Sequence, residues 1–249
     1  MKQLLEGKTC LVTGGSRGIG KAIVLAMAEE GADILFTYLS REDLAEAVAE
    51  EVRAMGRKCL ALQADASDNA SAKAVVEKAV ETFGHIDILV NNAGTTRDGL
   101  LIRMDESQWD EVLNTNLKSA FNYSKYVAQH MLSRRNGSII NISSVVGLFG
   151  NPGQCNYAAS KGAINAFTRS LSKEVGVRGV RVNAITPGFI LTEMTESLPE
   201  ELRQQYIKDT ALRRAGTPQD VANVAVFLAS DKASYITGEI INCSGNMKS

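Results

Sequence analysis

Short apolar runs alternate with amphipathic stretches along the whole chain, and the runs are nearly continuous rather than interleaved with polar residues. Thr9–Thr13 (TCLVT), Asp33–Tyr38 (DILFTY), Cys59–Gln63, Asp87–Val90, Gly137–Ile142 (GSIINI), Val180–Ile185 and Glu239–Cys243 read as strands. Between them Ile19–Glu30, Glu42–Met55, Asn69–Phe83, Ser107–Arg134, Tyr157–Val177 and Pro218–Ser230 carry helical periodicity, with Gly31 and Gly84 placed as helix stops. Seven buried strands separated by helices predict an α/β fold, a doubly wound parallel sheet covered on both faces. No linker or repeat divides residues 1–249, so a single domain is expected. The polar, charged stretch at about 192–217 is the least regular, and a mobile flap is expected there.

Composition narrows the function without naming it. The chain has 249 residues with 27 basic against 28 acidic side chains, a balance that disfavours a nucleic-acid or membrane-surface binder. No long apolar run opens the sequence or interrupts it, so neither secretion nor membrane spanning is expected. Cys10, Cys59, Cys155 and Cys243 are dispersed, which fits reduced thiols in a cytoplasmic protein rather than disulfides or a metal site. Two histidines leave little material for a histidine-based centre. Against 4 prolines stand 21 glycines, and their placement carries the next inference.

The first strand runs straight into Gly14-Gly15-Ser16-Arg17-Gly18-Ile19-Gly20, where a helix begins. A glycine-rich turn at this point lets backbone N–H groups approach a pyrophosphate at the helix N-terminus, which predicts a Rossmann-type dinucleotide site. An NAD site places an acid at the end of the second strand. Here Ser40 and Arg41 stand at that position, so NADPH/NADP is preferred, with Arg17 and Arg41 available to a 2′-phosphate. Asp65 and Ala66 end the third strand, where Asp65 either meets an adenine or caps the next helix. Asn92 and Gly94 follow the fourth strand, in a cofactor crevice or an ordinary amide-rich turn.

Tyr157 and Lys161 sit four residues apart on one helical face, and Ser144 closes the fifth strand thirteen residues upstream. A phenol needs a neighbouring positive charge to exchange protons near neutrality. Asn116 reads either as an exposed helical amide or as a kink that holds water near Lys161. Together the glycine turn, Asp65, Asn91–Gly94, Asn116, Ser144, Tyr157, Lys161 and Pro187-Gly188 resemble, in order and spacing, the short-chain dehydrogenase/reductase family over essentially the whole chain. Asn91–Arg103, Gly147–Lys161 and Ala233–Glu239 resemble its branch that reduces 3-oxoacyl thioesters on acyl carrier protein.

The resemblance implies that Tyr157 is the general acid, that Ser144 orients the substrate carbonyl, and that Lys161 holds the ribose and lowers the Tyr157 pKa. It implies that Asn116 completes a proton relay and that Ile190 lies beside the nicotinamide. It also implies a homotetramer, and carrier-protein docking at Arg135 and Arg178. The small and apolar residues spread around the Tyr157 helix fit a helix buried on two sides. Departures from the branch are Leu191, where an acid is usual, and a C-terminus without its Gly-Gly pair. Cys155 is expected to be a small apolar pocket residue. Two other classes remain open on sequence: a reductase of another ketone (acetoacetyl-CoA, sugar, steroid or polyketide), and a non-catalytic dinucleotide-binding scaffold.

Overall fold

In the computed structural model, which describes residues 3–196 and 198–247 and, for Met194, the backbone alone, the seven apolar runs form one sheet. Its strands are β1 (Thr9–Val12), β2 (Asp33–Tyr38), β3 (Cys59–Gln63), β4 (Ile88–Asn91), β5 (Gly137–Ile142), β6 (Val180–Pro187) and β7 (Ile240–Cys243). All pairings are parallel, in the order β3-β2-β1-β4-β5-β6-β7. The winding reverses between β1 and β4, where Leu11 stands level with Leu35 on one side and Leu89 on the other. A crevice opens beyond the carboxyl ends of strands at such a reversal.

The two-residue period of the strands divides the core. Val12, Ile34, Phe36, Val90 and Ile140 point to one face, where they meet Ile23, Met27, Val48, Val52, Val221 and Leu228. These residues come from α1 (Gly18–Glu29), α2 (Glu42–Ala54) and α10 (Pro218–Ala229). Leu11, Leu35, Leu89 and Ile139 point the other way, against Val75, Val76, Tyr123, Val127, Met131 and Val175. That layer is α3 (Asn69–Phe83), α5 (Ser119–Arg134) and α7 (Cys155–Val175). Strands buried on both faces are why the sequence reads as continuous apolar runs.

Two expectations change. The stretch read as one helix over 107–134 is broken: α4 (Glu106–Leu113) passes into a π-helical turn at Asn114–Lys118 before α5 begins. Ser119 returns its hydroxyl hydrogen to the Thr115 carbonyl, and Asn116 directs its amide away from the helix, both of which loosen the regular ladder. The stretch at 192–217 is not irregular. It holds α8 (Glu193–Glu196) and α9 (Glu200–Asp209). α9 starts with Glu200 and Glu201, favourable at a helix N-terminus, has no fully buried residue, and sets the Tyr206 ring 5.2 Å from that of Phe189. A helix with no fully buried residue leaves only a faint apolar stripe to read. Between β5 and α7, α6 (Val146–Phe149) adds one turn. Among the described residues no helix is long and apolar enough to cross a membrane. Met1, Lys2, Ser197, Lys248 and Ser249 of the expected single domain lie outside the described residues.

Candidate active site and dinucleotide crevice

The glycine turn joins β1 to α1 and is tied to its neighbours by backbone. Gly15 N–H donates to the Thr37 carbonyl at 2.9 Å, and Asn92 Nδ2 donates to the Thr13 and Gly14 carbonyls, both at 2.9 Å. Asn92 is thus a brace of the turn, and its amide hydrogens are spent there. A Cβ on Gly20 would meet the Gly14 carbonyl oxygen at 2.0 Å and Asn92 Nδ2 at 2.5 Å, so only glycine fits. Gly14 and Gly18 have positive φ, of 68° and 55°. The first turn of α1 carries no acidic residue, and Arg17 at its N-cap gives no side-chain capping hydrogen bond. Ser16 and Ile19 complete this turn, half-buried at the start of α1. A helix start without acid or side-chain cap, fronted by close-packed glycines, is suited to an anion.

The residues expected around an adenosine are at the crevice, but their partners differ from expectation. Asp65 accepts from Ser67 N–H at 2.8 Å and from its hydroxyl at 2.7 Å, closing a turn; it does not cap α3, which Asp68 caps through Ala70 and Ser71 N–H. Ala66 is buried, its carbonyl taken by Asn122. Ser40 is exposed at the end of β2. Arg41 is bound on two prongs by Asp43, at 2.8 and 2.6 Å, and Arg17 pairs with Glu193 at 3.5 Å. Both arginines expected to be open to a phosphate thus have an exposed acidic neighbour.

On the other side of the crevice, Ser144, Asn116, Tyr157 and Lys161 converge. Lys161 is buried, and its ammonium donates to the Ile142 carbonyl at 2.8 Å and lies 5.6 Å from the centre of the Tyr157 ring. Burial draws its pKa down from 10.5 to about 8. An ideal Cβ on Gly94 would stand 3.5 Å from Lys161 Nζ and 3.1 Å from Asn116 Oδ1, so Gly94 keeps this corner open. Tyr157, in the first turn of α7, has its phenol pushed above the ordinary value by burial; the facing Ser144 hydroxyl offsets this in part, and the Asp98 carboxylate adds to it. In the protein without a dinucleotide, burial is the largest influence on the phenol and favours its protonated form.

Asn116 is buried, not exposed, and the π turn aims it across the site. It accepts from Thr95 N–H at 2.7 Å and donates to the Thr95 carbonyl at 3.1 Å and to Ser160 Oγ at 3.0 Å. Thr95 and Ser160 escape sequence reading, since nothing in the chain signals that residues 21 and 44 positions away share one amide. Thr13, which heads the glycine turn in the sequence, accepts from the Asn92 and Ala93 N–H groups through its hydroxyl and couples the turn to β4. Ile190 is buried at the end of the β6 loop, in a bridge with Gly216. Cys155 is exposed at the start of α7, not a pocket residue.

Comparison with known proteins decides the family. A model described as enoyl-(acyl carrier protein) reductase matches residues 14–247. Proteins named 3-oxoacyl-[acyl-carrier-protein] reductase are 49% identical in Staphylococcus aureus over 240 residues, covering 96% of this chain and 98% of that one. The chain belongs to the short-chain dehydrogenase/reductase family. A relative of the same name from Thermotoga maritima is also 49% identical, covering 98% of both chains, and one from Chlamydia trachomatis is 46% identical, covering 99% and 100%. A crystal structure described as a short-chain alcohol dehydrogenase from Sinorhizobium meliloti superimposes with a TM-score of 0.94 at 38% identity, covering 98% of each chain. The buried face of α7 is largely polar (Asn156, Ser160, Lys161, Asn165, Thr168, Ser172), while Ala159 is half-buried and Ala166 exposed.

Arg135 and Arg178 are brought together, but away from the site. Arg135 caps the end of α5 and its carbonyl packs against Gly179, next to Arg178. Both are exposed at the amino ends of β5 and β6. Tyr157 is at the carboxyl ends, about 27 Å away along α7 at ~1.5 Å per residue.

Proposed function

We propose that the protein reduces a 3-oxoacyl thioester on acyl carrier protein to the 3-hydroxyacyl form, at the expense of NADPH. The observation that carries the reading is the convergence of Ser144, a protonated Tyr157 and a buried Lys161 beside an anion-ready helix start. Gly14, Gly15, Ser16, Gly18, Ile19 and Gly20 would seat the pyrophosphate; Ser40, Arg41, Asp65 and Ala66 would flank the adenosine; Gly94, Tyr157, Lys161 and Ile190 would border the nicotinamide ribose. The close-packed glycines and the acid-free start of α1 support this fit. Bound there, the reduced dinucleotide supplies a hydride to the 3-oxo carbon. Ser144 donates to the ketone oxygen and aligns it, and Tyr157 passes its proton to that oxygen as negative charge develops. Lys161 holds its positive charge beside the emptied phenolate, and Asn116 keeps Thr95 and Ser160 in place so that a proton can return from solvent.

A second reading comes from the description of the family model, which names enoyl reduction. Two hydroxyls converging on one point suit a ketone oxygen rather than a carbon–carbon double bond, and the names of the relatives agree. Full-length protein assayed with acetoacetyl- and crotonyl-carrier protein, and with acetoacetyl-CoA, separates these. NADPH oxidation with the first alone, or with strong preference for it, is expected; turnover of the crotonyl thioester instead would overturn the reading.

Carrier docking at Arg135 and Arg178 requires a second copy. The exposed apolar residues of α7, with Phe121 of α5, support a face shared between copies. Antiparallel pairing of two α7 helices would set the arginines of one copy near the Tyr157 cleft of the other. A homotetramer built on this face, working in a cytoplasm that keeps its four free cysteines reduced, is the assembly we infer.

A further inference from the structure

We propose that Asp43 sets how strongly the crevice prefers a 2′-phosphorylated dinucleotide, by holding the guanidinium of Arg41. The inference rests on the dinucleotide reading above and is independent of the substrate. Arg41 lies between β2 and α2, where the outer ribose of a bound dinucleotide would come. Its Nε donates to Asp43 Oδ1 at 2.8 Å and its Nη2 to Asp43 Oδ2 at 2.6 Å. This two-pronged match occupies the Nε/Nη2 edge, one of the two edges by which a guanidinium can grip a phosphate. Asp43 is charged at any working pH, because the same contact holds its carboxyl at about 2.

The surrounding charges make the pair matter. Glu42 adds a second carboxylate in the first turn of α2, and Arg17, the other cation at this end of the crevice, is paired with Glu193 of α8. A 2′-phosphate therefore meets an arginine already engaged on one edge, among carboxylates, whereas a 2′-hydroxyl meets no comparable obstacle. Arg41 and Asp43 are both exposed, so their pair is weak and a phosphate can open it. The consequence is a preference for NADPH smaller than the two arginines alone would give. Asp43 is thereby a specificity-determining residue that acts through Arg41.

Calorimetric titration of the full-length protein with adenosine 2′,5′-bisphosphate and with adenosine 5′-monophosphate tests this without any turnover. Asp43→Asn is expected to tighten the bisphosphate by roughly two- to five-fold, the scale of an exposed ion pair, and to leave the monophosphate unchanged. The gain should shrink in high salt, and most of it should vanish in an Arg41→Ala background. Asp43→Ser, with an unchanged thermal midpoint as the check on folding, should act in the same direction. An unchanged or weakened bisphosphate, an equal gain for both ligands, or a gain that survives the loss of Arg41 would overturn the proposal. Failure of both fragments to bind would remove the dinucleotide reading itself, and leave the fold of the crevice to be explained otherwise.

Discussion

The Lys161 ammonium lies 5.6 Å from the centre of the Tyr157 ring and donates a 2.8 Å hydrogen bond to the Ile142 carbonyl. It is buried with one carbonyl partner in the protein, and its pKa is lowered to about 8 from 10.5 by that burial. Between those two values the unfolded chain binds more protons than the folded one, so stability rises with pH across the window. Below about pH 8 the full cost of the buried charge is present, on the order of 3 kcal/mol. Urea unfolding from pH 7 to 10.5 should show this slope in the native protein and lose it in Lys161→Met. An identical slope in both would assign it to other groups.

Tyr157→Phe should lower turnover of a 3-oxoacyl substrate by at least ~100-fold, the usual size of a positioned general acid. Dinucleotide binding and the thermal midpoint should hardly move, because the phenol is raised by desolvation and its removal leaves no charge behind. Fluorescence titration beside steady-state kinetics reads both. Retained turnover would take Tyr157 out of the acid role.

Asn116→Ala should cost about 1–3 kcal/mol of stability, because the Thr95 N–H and carbonyl and the Ser160 hydroxyl lose their shared partner in a buried place. Denaturant unfolding measures this directly. Turnover should fall as well, since the same amide fixes the loop after β4 and the Tyr157–Lys161 stretch of α7.

Gly20→Ala should abolish dinucleotide binding, because its Cβ would lie 2.0 Å from the Gly14 carbonyl oxygen and force the turn open. Gly99→Ala, whose Cβ would meet nothing within 4 Å, should bind normally. Equal binding by the two variants would show that the turn does not hold the ligand.

Reversing charge at Arg135 and Arg178 together should raise KM for a carrier-bound substrate several-fold and leave acetoacetyl-CoA kinetics unchanged. Mixed oligomers sharpen the test. A subunit with Tyr157→Phe but intact arginines, combined with one bearing the charge reversals and an intact Tyr157, should recover turnover of the carrier substrate if docking crosses between copies. No recovery in a verified mixed oligomer would place docking on a single chain.

Much of this was written in the chain's local pattern. The central strands, buried on both faces, are mainly apolar, which is why the strand pattern could be read from sequence, and β2, β3 and β5 were read with the bounds they have in the structure. The glycine turn was legible because only a residue without a Cβ fits between Gly14 and Asn92. Ser144, Tyr157 and Lys161 were legible because a helix puts positions four apart on one face. α9 was not, because a helix with no fully buried residue leaves only a faint apolar stripe.

What only the tertiary structure decided concerns partners distant in sequence and the depth of burial. The order of strands brought Thr95, Asn116 and Ser160 onto one amide, and burial raised the Tyr157 phenol. Packing brought Glu193 to Arg17 from 176 positions away, whereas Asp43 engages Arg41 locally, two positions on. It also placed Arg135 and Arg178 at the far edge of the sheet from Tyr157. Sequence fixes which groups exist and their local geometry; the energy of a charge depends on its neighbours and its distance from water, which only the folded chain sets.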